Sequence, residues 1–291
     1  MTETLLVVDG NSIACRGAFV KPELTNSKGR ETGGSYRFFS MLDKAMRMVR
    51  ATHVVVGWDV GGKTFRSDID ESYKANRTPK GDSLYHQFDD IKIILDAIGI
   101  KHVGIEGYEG DDIVGTYASI LGPERIFVFS GDKDNYQLID DRTKVLYPLT
   151  GSEMKIIDEE VFEKQYNIKV EQFVDMKALM GDGGDNVKGI EKCGEKTAAK
   201  WLNTYGDLEN IILNASDIKG KIGENLRNWI PNAHKTRELV RINRTVNVPY
   251  AYDDLKINLK WENAEPIFRE LEFFSHIKKA KQGGFYNVST W

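Results

Sequence analysis

Nine acidic residues fall in five short clusters: Asp9 in LLVVDG, Asp59 in HVVVGWD, Glu109, Asp111 and Asp112 in GYEGDD, Asp132 and Asp134 in FVFSGDKD, and Asp182 and Asp185 in GDGGDN. Each cluster stands where a strand or helix should end. Carboxylates repel one another, so gathering this many is unfavourable unless a cation compensates. Hard oxygen ligands with no His or Cys in any cluster point to Mg²⁺, with Mn²⁺ able to substitute, rather than zinc. Paired divalent ions about 4 Å apart are suited to in-line attack on a phosphodiester. The chemistry these residues suggest is metal-dependent phosphodiester hydrolysis with two or more ions.

The elements that must carry them alternate. Strands are expected at 4–8, 52–59, 101–106 and over RIFVFSGD, and the apolar run TLLVV should end in a turn at Asp9-Gly10. Helices are expected at 34–50, 84–99 and over DIVGTYASILG. This alternation implies an α/β fold, a mostly parallel central sheet flanked by helices. Ligands bind such sheets at the carboxyl ends of the strands. Asp9, Asp59 and Asp132 are expected there and Glu109 just beyond the third strand, so topology aims the carboxylates at one edge. After about residue 160 helices dominate, at 159–166, 170–181, 195–205, 216–230 and 232–244. The expected organisation is an α/β nuclease core at 1–160, a C-terminal helical lobe at 161–260, and a helix and tail at 261–291 packing back on the core.

Three further segments bear on function. GWDVGGKT matches the phosphate-loop pattern, which would imply a nucleotide hydrolase. It would put Asp59 inside the phosphate cradle, and no clean apolar helix follows, so a strand end and Gly turn is the better reading. Residues 63–80 hold Lys63, Arg66, Tyr73, Lys74, Arg77 and Lys80 with few apolar side chains, as a mobile element gripping a single strand would. The stretch 181–202 reads as a helix–hairpin–helix, with a turn from Gly189 to Gly194 followed by Lys196 and Lys200. Glycine turns expose backbone N–H groups to phosphate, and lysines add charge without reading bases.

Bulk properties set bounds. The 291 residues, 41% hydrophobic, suffice for one large or two closely packed domains, and the net charge of −4 suits a nucleic-acid binder only if metal covers the acidic clusters. Cys15 and Cys193 form no metal or redox motif. No signal-peptide pattern and no long apolar run is visible, so a cytoplasmic location is expected, in a bacterial or phage-infected cell.

In their order, the blocks LLVVDG, VVVGWD, TFR…YKANR, GYEGDD, GDKDNYQL and GDGGDN–GIEKCGEKTA resemble the 5′-nuclease family over about residues 4–275. That family includes flap endonucleases, bacteriophage 5′-exonucleases and the N-terminal nuclease domain of bacterial DNA polymerase I. The resemblance implies a structure-specific, Mg²⁺-dependent 5′-3′ exodeoxyribonuclease and flap endonuclease of replication or repair. Its partners would be DNA with a 5′ flap, nick or free 5′ end, and RNA primer–DNA hybrids, bound by a monomer. By the resemblance, Asp9, Asp59, Glu109 and Asp111 hold the first metal. Asp112 and Asp132 lie between or near the two ions, and Asp134, Asp182 and Asp185 belong to the second. The segment at about 60–90 becomes a helical arch, in which Lys74 and Arg77 act on the scissile phosphate and Tyr73 stacks on a base. Arg66 and Tyr73 there, with Lys188, Gly189, Lys192, Gly194, Lys196, Thr197 and Lys200 of the hairpin, are the expected DNA-binding residues. The family's hairpin usually reads GIG and often carries K⁺; here KCG, with Cys193, stands in its place and puts that ion in question. With no polymerase following, a stand-alone enzyme is expected.

Overall fold

The computed structural model describes residues 2–78, 81–151 and 153–288; Lys80 and the last three residues of the tail lie outside them. The run TLLVVD is fully buried and forms the central strand β1 (Thr4–Asp9). Strands covered on both faces need such continuous apolar runs. No turn follows it. Asp9 instead caps helix α1 (Gly10–Ala18), its carboxylate accepting from the Ser12 backbone N–H at 2.9 Å. The expectation of a turn took Asp-Gly as punctuation, whereas an Asp at a strand end caps a helix equally well.

Next come α2 (Gly33–Val49), β2 (His53–Gly57), the short α3 (Phe65–Ile69), α4 (Asp82–Ile98), β3 (Lys101–Val103), α5 (Gly110–Ala118) and β4 (Arg125–Phe129). A 3₁₀ turn, Lys133–Leu138, leads to two strands that were not anticipated, β5 (Thr143–Pro148) and β6 (Met154–Ile157). Both are short, and Pro148 at the end of β5, with the Gly and Ser that follow in the sequence, reads as loop.

The sheet order is β3-β2-β1-β4-β5-β6, parallel except for the antiparallel edge pair β5–β6. The order reverses direction between β1 and β4, and at such a reversal the loops diverge and leave a crevice. Asp9 ends one of these two strands and Ser130 to Asp134 follow the other.

Helices cover both faces. One buried cluster joins Leu5, Val7, Val114 and Val128 to Trp201, Leu202 and Leu226. The other joins Leu6, Val8, Phe39 and Ile94 to Trp261, Phe268 and Phe285. The helical half runs α6 (Glu159–Tyr166), α7 (Phe173–Met180), a two-stranded ribbon β7 (Gly181–Asp182) with β8 (Val187–Lys188), α8 (Glu195–Tyr205), α9 (Leu208–Leu213), α10 (Gly220–Trp229) and α11 (Ala233–Val240). Finally α12 (Glu265–Glu270) and α13 (Phe274–Lys281) lie in the second cluster.

Candidate active site

Five segments deliver carboxylates to one place. Asp9, at the end of β1, also accepts from the Ser130 hydroxyl at 2.7 Å, which ties β1 to the loop after β4. Asp59, beyond β2, accepts from the Gly110 N–H at 2.6 Å, so the start of α5 is pinned beside it. Asp111 accepts from Asn135 at 2.8 Å, and Asp132 caps the turn that carries Asp134. Asp182 and Asp185 arrive on the β7–β8 ribbon, where Asp182 accepts from the backbone N–H groups of Gly184 and Asp185. Asp9, Asp59, Glu109, Asp111, Asp132, Asp134, Asp182 and Asp185 line one open cavity of about 440 Å³, together with Lys74 and Arg77.

The electrostatics follow from crowding. Burial pushes the Asp9 carboxyl up to about 7, and the nearby Asp132 and Asp59 charges add to the rise. Burial and then the Asp9 and Asp132 charges raise Asp111 well above the usual carboxylate range. Burial lifts Asp134 to about 6.

Cations of the chain itself hold the remaining acids. Lys74 Nζ lies 2.7 Å from Glu109 and 3.7 Å from Asp185, and Arg77 also pairs with Asp185. Lys177 Nζ bridges Asp134 at 2.7 Å and Asp182 at 2.6 Å. Burial alone would lower the Lys177 ammonium, but its two acids outweigh this and hold it charged. Among the described residues no three acidic, His or Cys side chains close around a single point; ammonium groups hold Glu109, Asp185, Asp134 and Asp182 in pairs instead. The donor set still suits divalent ions: all oxygen, rich in acids, and with two carboxyls, Asp9 and Asp111, whose ionisation burial and neighbouring acids oppose.

Sequence comparison decides the family. The 5′-3′ exonuclease N-terminal resolvase-like domain matches residues 4–167, and the 5′-3′ exonuclease C-terminal SAM fold matches 168–263. The chain belongs to the 5′-3′ exonuclease family. The chain is 34% identical to a 5′-3′ exonuclease of Bacillus subtilis over 272 residues, covering 91% of this chain and 92% of that one. It is 36% identical to DNA polymerase I of Mycobacterium leprae over 276 residues, covering 92% of this chain and 30% of that protein. It therefore spans under a third of the polymerase's length. Its fold is similar to that of the bacteriophage T5 flap endonuclease in a pseudo-enzyme–product complex with DNA and metal ions, at TM-score 0.69 and 21% identity, covering 96% of this chain and 98% of that one.

Several expected site residues are placed differently. Asp112 is fully buried, and its oxygens accept from both terminal nitrogens of Arg66 at 2.8 Å, from the Asn243 N–H and from the Glu109 N–H. Each oxygen is satisfied twice, and Asp112 does not line the cavity with the other eight acids, so as placed it does not offer a free ligand oxygen there. Arg66 is only 3% exposed and engages Asp112 and the carbonyls of Leu239 and Arg241, so as placed it faces the interior and not a DNA-binding surface. Tyr73 is buried, and its hydroxyl donates to Glu109 at 3.2 Å and Asp185 at 3.1 Å, so its ring does not stack on a base as placed. The expected mobile arch is docked as well. Lys74 N–H donates to the Asp185 carbonyl, and the Asn76 amide to that of Gly183.

The hairpin divides. Lys188, Lys192, Gly194, Lys196 and Lys200 are exposed and Thr197 half-buried, with Lys196 and Lys200 beside an open groove of about 560 Å³. Gly189 serves packing: a Cβ there would lie 2.2 Å from the Gly181 backbone nitrogen. Cys193 is buried and its thiol pushed up to about 11, so it fills the apolar slot of the turn as an inert side chain. The phosphate-loop reading fails: Asp59 lines the acidic cavity, and only five residues of helix follow Lys63-Thr64. Lys177 was missed. A lysine inside a helix looks like a solvated one, and only its position four residues before Gly181 and the acidic ribbon hinted otherwise.

Proposed function

We propose that the protein hydrolyses DNA phosphodiesters at free 5′ ends, nicks and 5′ flaps with the help of Mg²⁺, which Mn²⁺ would replace. The convergence of eight carboxylates from separate chain segments on one open crevice at the β1–β4 reversal carries this reading. Asp9, Asp59, Glu109 and Asp111 would hold one ion, with Asp132 beside it, and Asp134, Asp182 and Asp185 the other. Bound there, the ions would acidify an attacking water and offset charge on the phosphate.

The chain's own residues do the rest. Lys74 and Arg77, released from Glu109 and Asp185 as other cations engage those acids, neutralise charge developing on the scissile phosphate. Lys188, Lys192, Lys196, Thr197 and Lys200, with the Gly194 backbone, hold duplex DNA by its phosphates and so without sequence preference. Residues 1–160, joined by Asp182 and Asp185, would then carry the chemistry and the rest of 161–260 the duplex, while the helices after residue 261 brace the core. RNA primer–DNA hybrids are further substrates in this reading, and K⁺ a ligand of the hairpin. The protein would act as a cytoplasmic monomer.

Cleavage of 5′-flap, nicked and single-stranded DNA, with and without Mg²⁺, tests this. Mg²⁺-dependent release from the 5′ side, leaving 5′-phosphate and 3′-hydroxyl ends, is expected. Cleavage indifferent to chelation, or confined to RNA, would overturn it.

A further inference from the structure

The buried Arg66–Asp112 pair belongs to no step above, yet it joins the parts that must act together. Arg66 stands on α3, at the foot of the segment that carries Tyr73, Lys74 and Arg77. Asp112 stands on the first turn of α5, next to Asp111 in the chain. The two make a bidentate pair, both nitrogens at 2.8 Å. The second guanidinium edge is 3.0 Å from the Leu239 carbonyl and 2.6 Å from that of Arg241, at the end of α11. Asp112 in turn receives the Asn243 N–H at 2.8 Å and the Glu109 N–H at 3.1 Å. Arg66 also lies 3.6 Å from the Glu109 carboxylate itself.

Three chain segments thus meet at one ion pair that water does not reach. Charge pairs of this kind are poor sources of stability, because desolvation cancels most of their attraction. Their value lies in direction: a planar guanidinium fork accepts only one orientation of a carboxylate. Here that orientation sets the backbone of Glu109 and the first turn of α5, and so the aim of Glu109 and Asp111 into the cavity.

We propose that Arg66 and Asp112 are positioning residues that set the geometry of the Glu109 and Asp111 carboxylates for divalent-ion binding, and register the arch and the end of the helical lobe against them. This rests on the metal-dependent reading of the cavity. It differs from a ligand role for Asp112, because it makes the pair, not the carboxylate alone, responsible.

The test is the binding of Mn²⁺ to protein without DNA, by titration calorimetry, with thermal melts in parallel. The proteins are wild type, Arg66→Met, Arg66→Lys, Asp112→Asn and the double variant Arg66→Met/Asp112→Leu. Apolar replacement of both partners leaves neither charge unpaired but orphans the Asn243 and Glu109 N–H groups and the Leu239 and Arg241 carbonyls, so the melting temperature is expected to fall less than in either single apolar or neutral variant, and the melts establish that the double variant is folded. The double variant should nonetheless bind Mn²⁺ about tenfold more weakly or worse, and Arg66→Met should match it. Arg66→Lys should recover part of the affinity, because it restores the charge without the fork. If the folded double variant and Arg66→Met bind Mn²⁺ like wild type, the pair is merely structural and the proposal falls. If Asp112→Asn loses binding while Arg66→Met keeps it, Asp112 acts as a ligand and the proposal also falls. Wild type that binds no Mn²⁺ would sink the metal-dependent reading itself, and this inference with it.

Discussion

Lys177 illustrates how a side chain acquires a role from its neighbours. Its side chain is 15% exposed, and its ammonium sits between Asp134 on the sheet side and Asp182 on the ribbon. Removing it leaves two crowded carboxylates facing each other, and breaking a largely buried pair costs about 3 kcal/mol. Lys177→Met should therefore lower the melting temperature in EDTA. Mg²⁺ should recover more of that loss in the variant than it adds to wild type, because an external cation then does what the lysine did. Melts of both proteins in EDTA and in millimolar Mg²⁺ check this; equal Mg²⁺ increments would show that Lys177 and the ion do not share these acids. Lys74 and Arg77 differ from Lys177 in facing the open cavity, where a phosphate can draw them away. Alanine at either should cost about 10²-fold in turnover with little change in duplex affinity.

The helix–hairpin–helix and the C-terminal helices separate docking from bracing. Lys196 and Lys200 lie on one exposed face of α8, one turn apart. The double variant Lys196→Ala/Lys200→Ala should weaken DNA binding and reduce the slope of log K against log salt by about 1 to 2, leaving turnover at saturating DNA nearly unchanged. Anisotropy titrations at several salt concentrations would show it, and an unchanged slope would remove α8 from the interface. On the opposite side, His276 of α13 is buried among Tyr36, Phe268, Phe273 and Phe285. Burial, aided by Lys279, lowers its imidazole to about 4, against about 6.5 when unfolded. The unfolded chain therefore binds the proton more readily, so stability present above pH 6.5 is lost as pH falls toward 4. The loss is at most about 3 kcal/mol. His276→Phe should flatten the denaturation midpoint over that range; an unchanged pH dependence would mean that the imidazole is not the group responsible.

Taken together, the protein holds strong negative charge in one crevice while its net charge is only −4. The acids are not equivalent. Asp185 is matched by Tyr73, Lys74 and Arg77, whereas Asp9 and Asp111 face mainly other carboxylates. Asp111→Asn should thus raise the melting temperature in EDTA and abolish the Mg²⁺ increment together with cleavage, while Asp185→Asn should lower it. Wild type should gain about 3 kcal/mol at a hundredfold excess of Mg²⁺ over its dissociation constant. Scanning calorimetry of the three proteins decides the matter: Asn variants that shift in the same direction would show that the chain's own cations do not discriminate among the acids.

Much of this was legible in the residues alone. Apolar runs closed by Asp or Gly located four strands, and the alternation with helices placed Asp9, Asp59 and Asp132 at strand ends of one polarity, because a parallel sheet leaves few other readings. Six motif blocks in order pointed to the family. β5 and the edge strand β6 escaped, since short strands in which polar and apolar residues mix lack a continuous apolar run. Above all, sequence cannot say which carboxylate of a cluster faces the crevice. Asp111 and Asp112 are adjacent and chemically alike, but successive helix positions lie about 100° apart. One turns to the cavity and the other to Arg66, 46 residues away in the chain. Tyr73, Lys74 and Lys177 likewise read as solvated or substrate-facing until the ribbon carrying Asp182 and Asp185 is folded against them. Residue types and spacing thus settled the chemistry available. Only the packing of α3, α5, α11 and the β7–β8 ribbon decided which acids are free to bind an ion, because that depends on which cation is nearest in space.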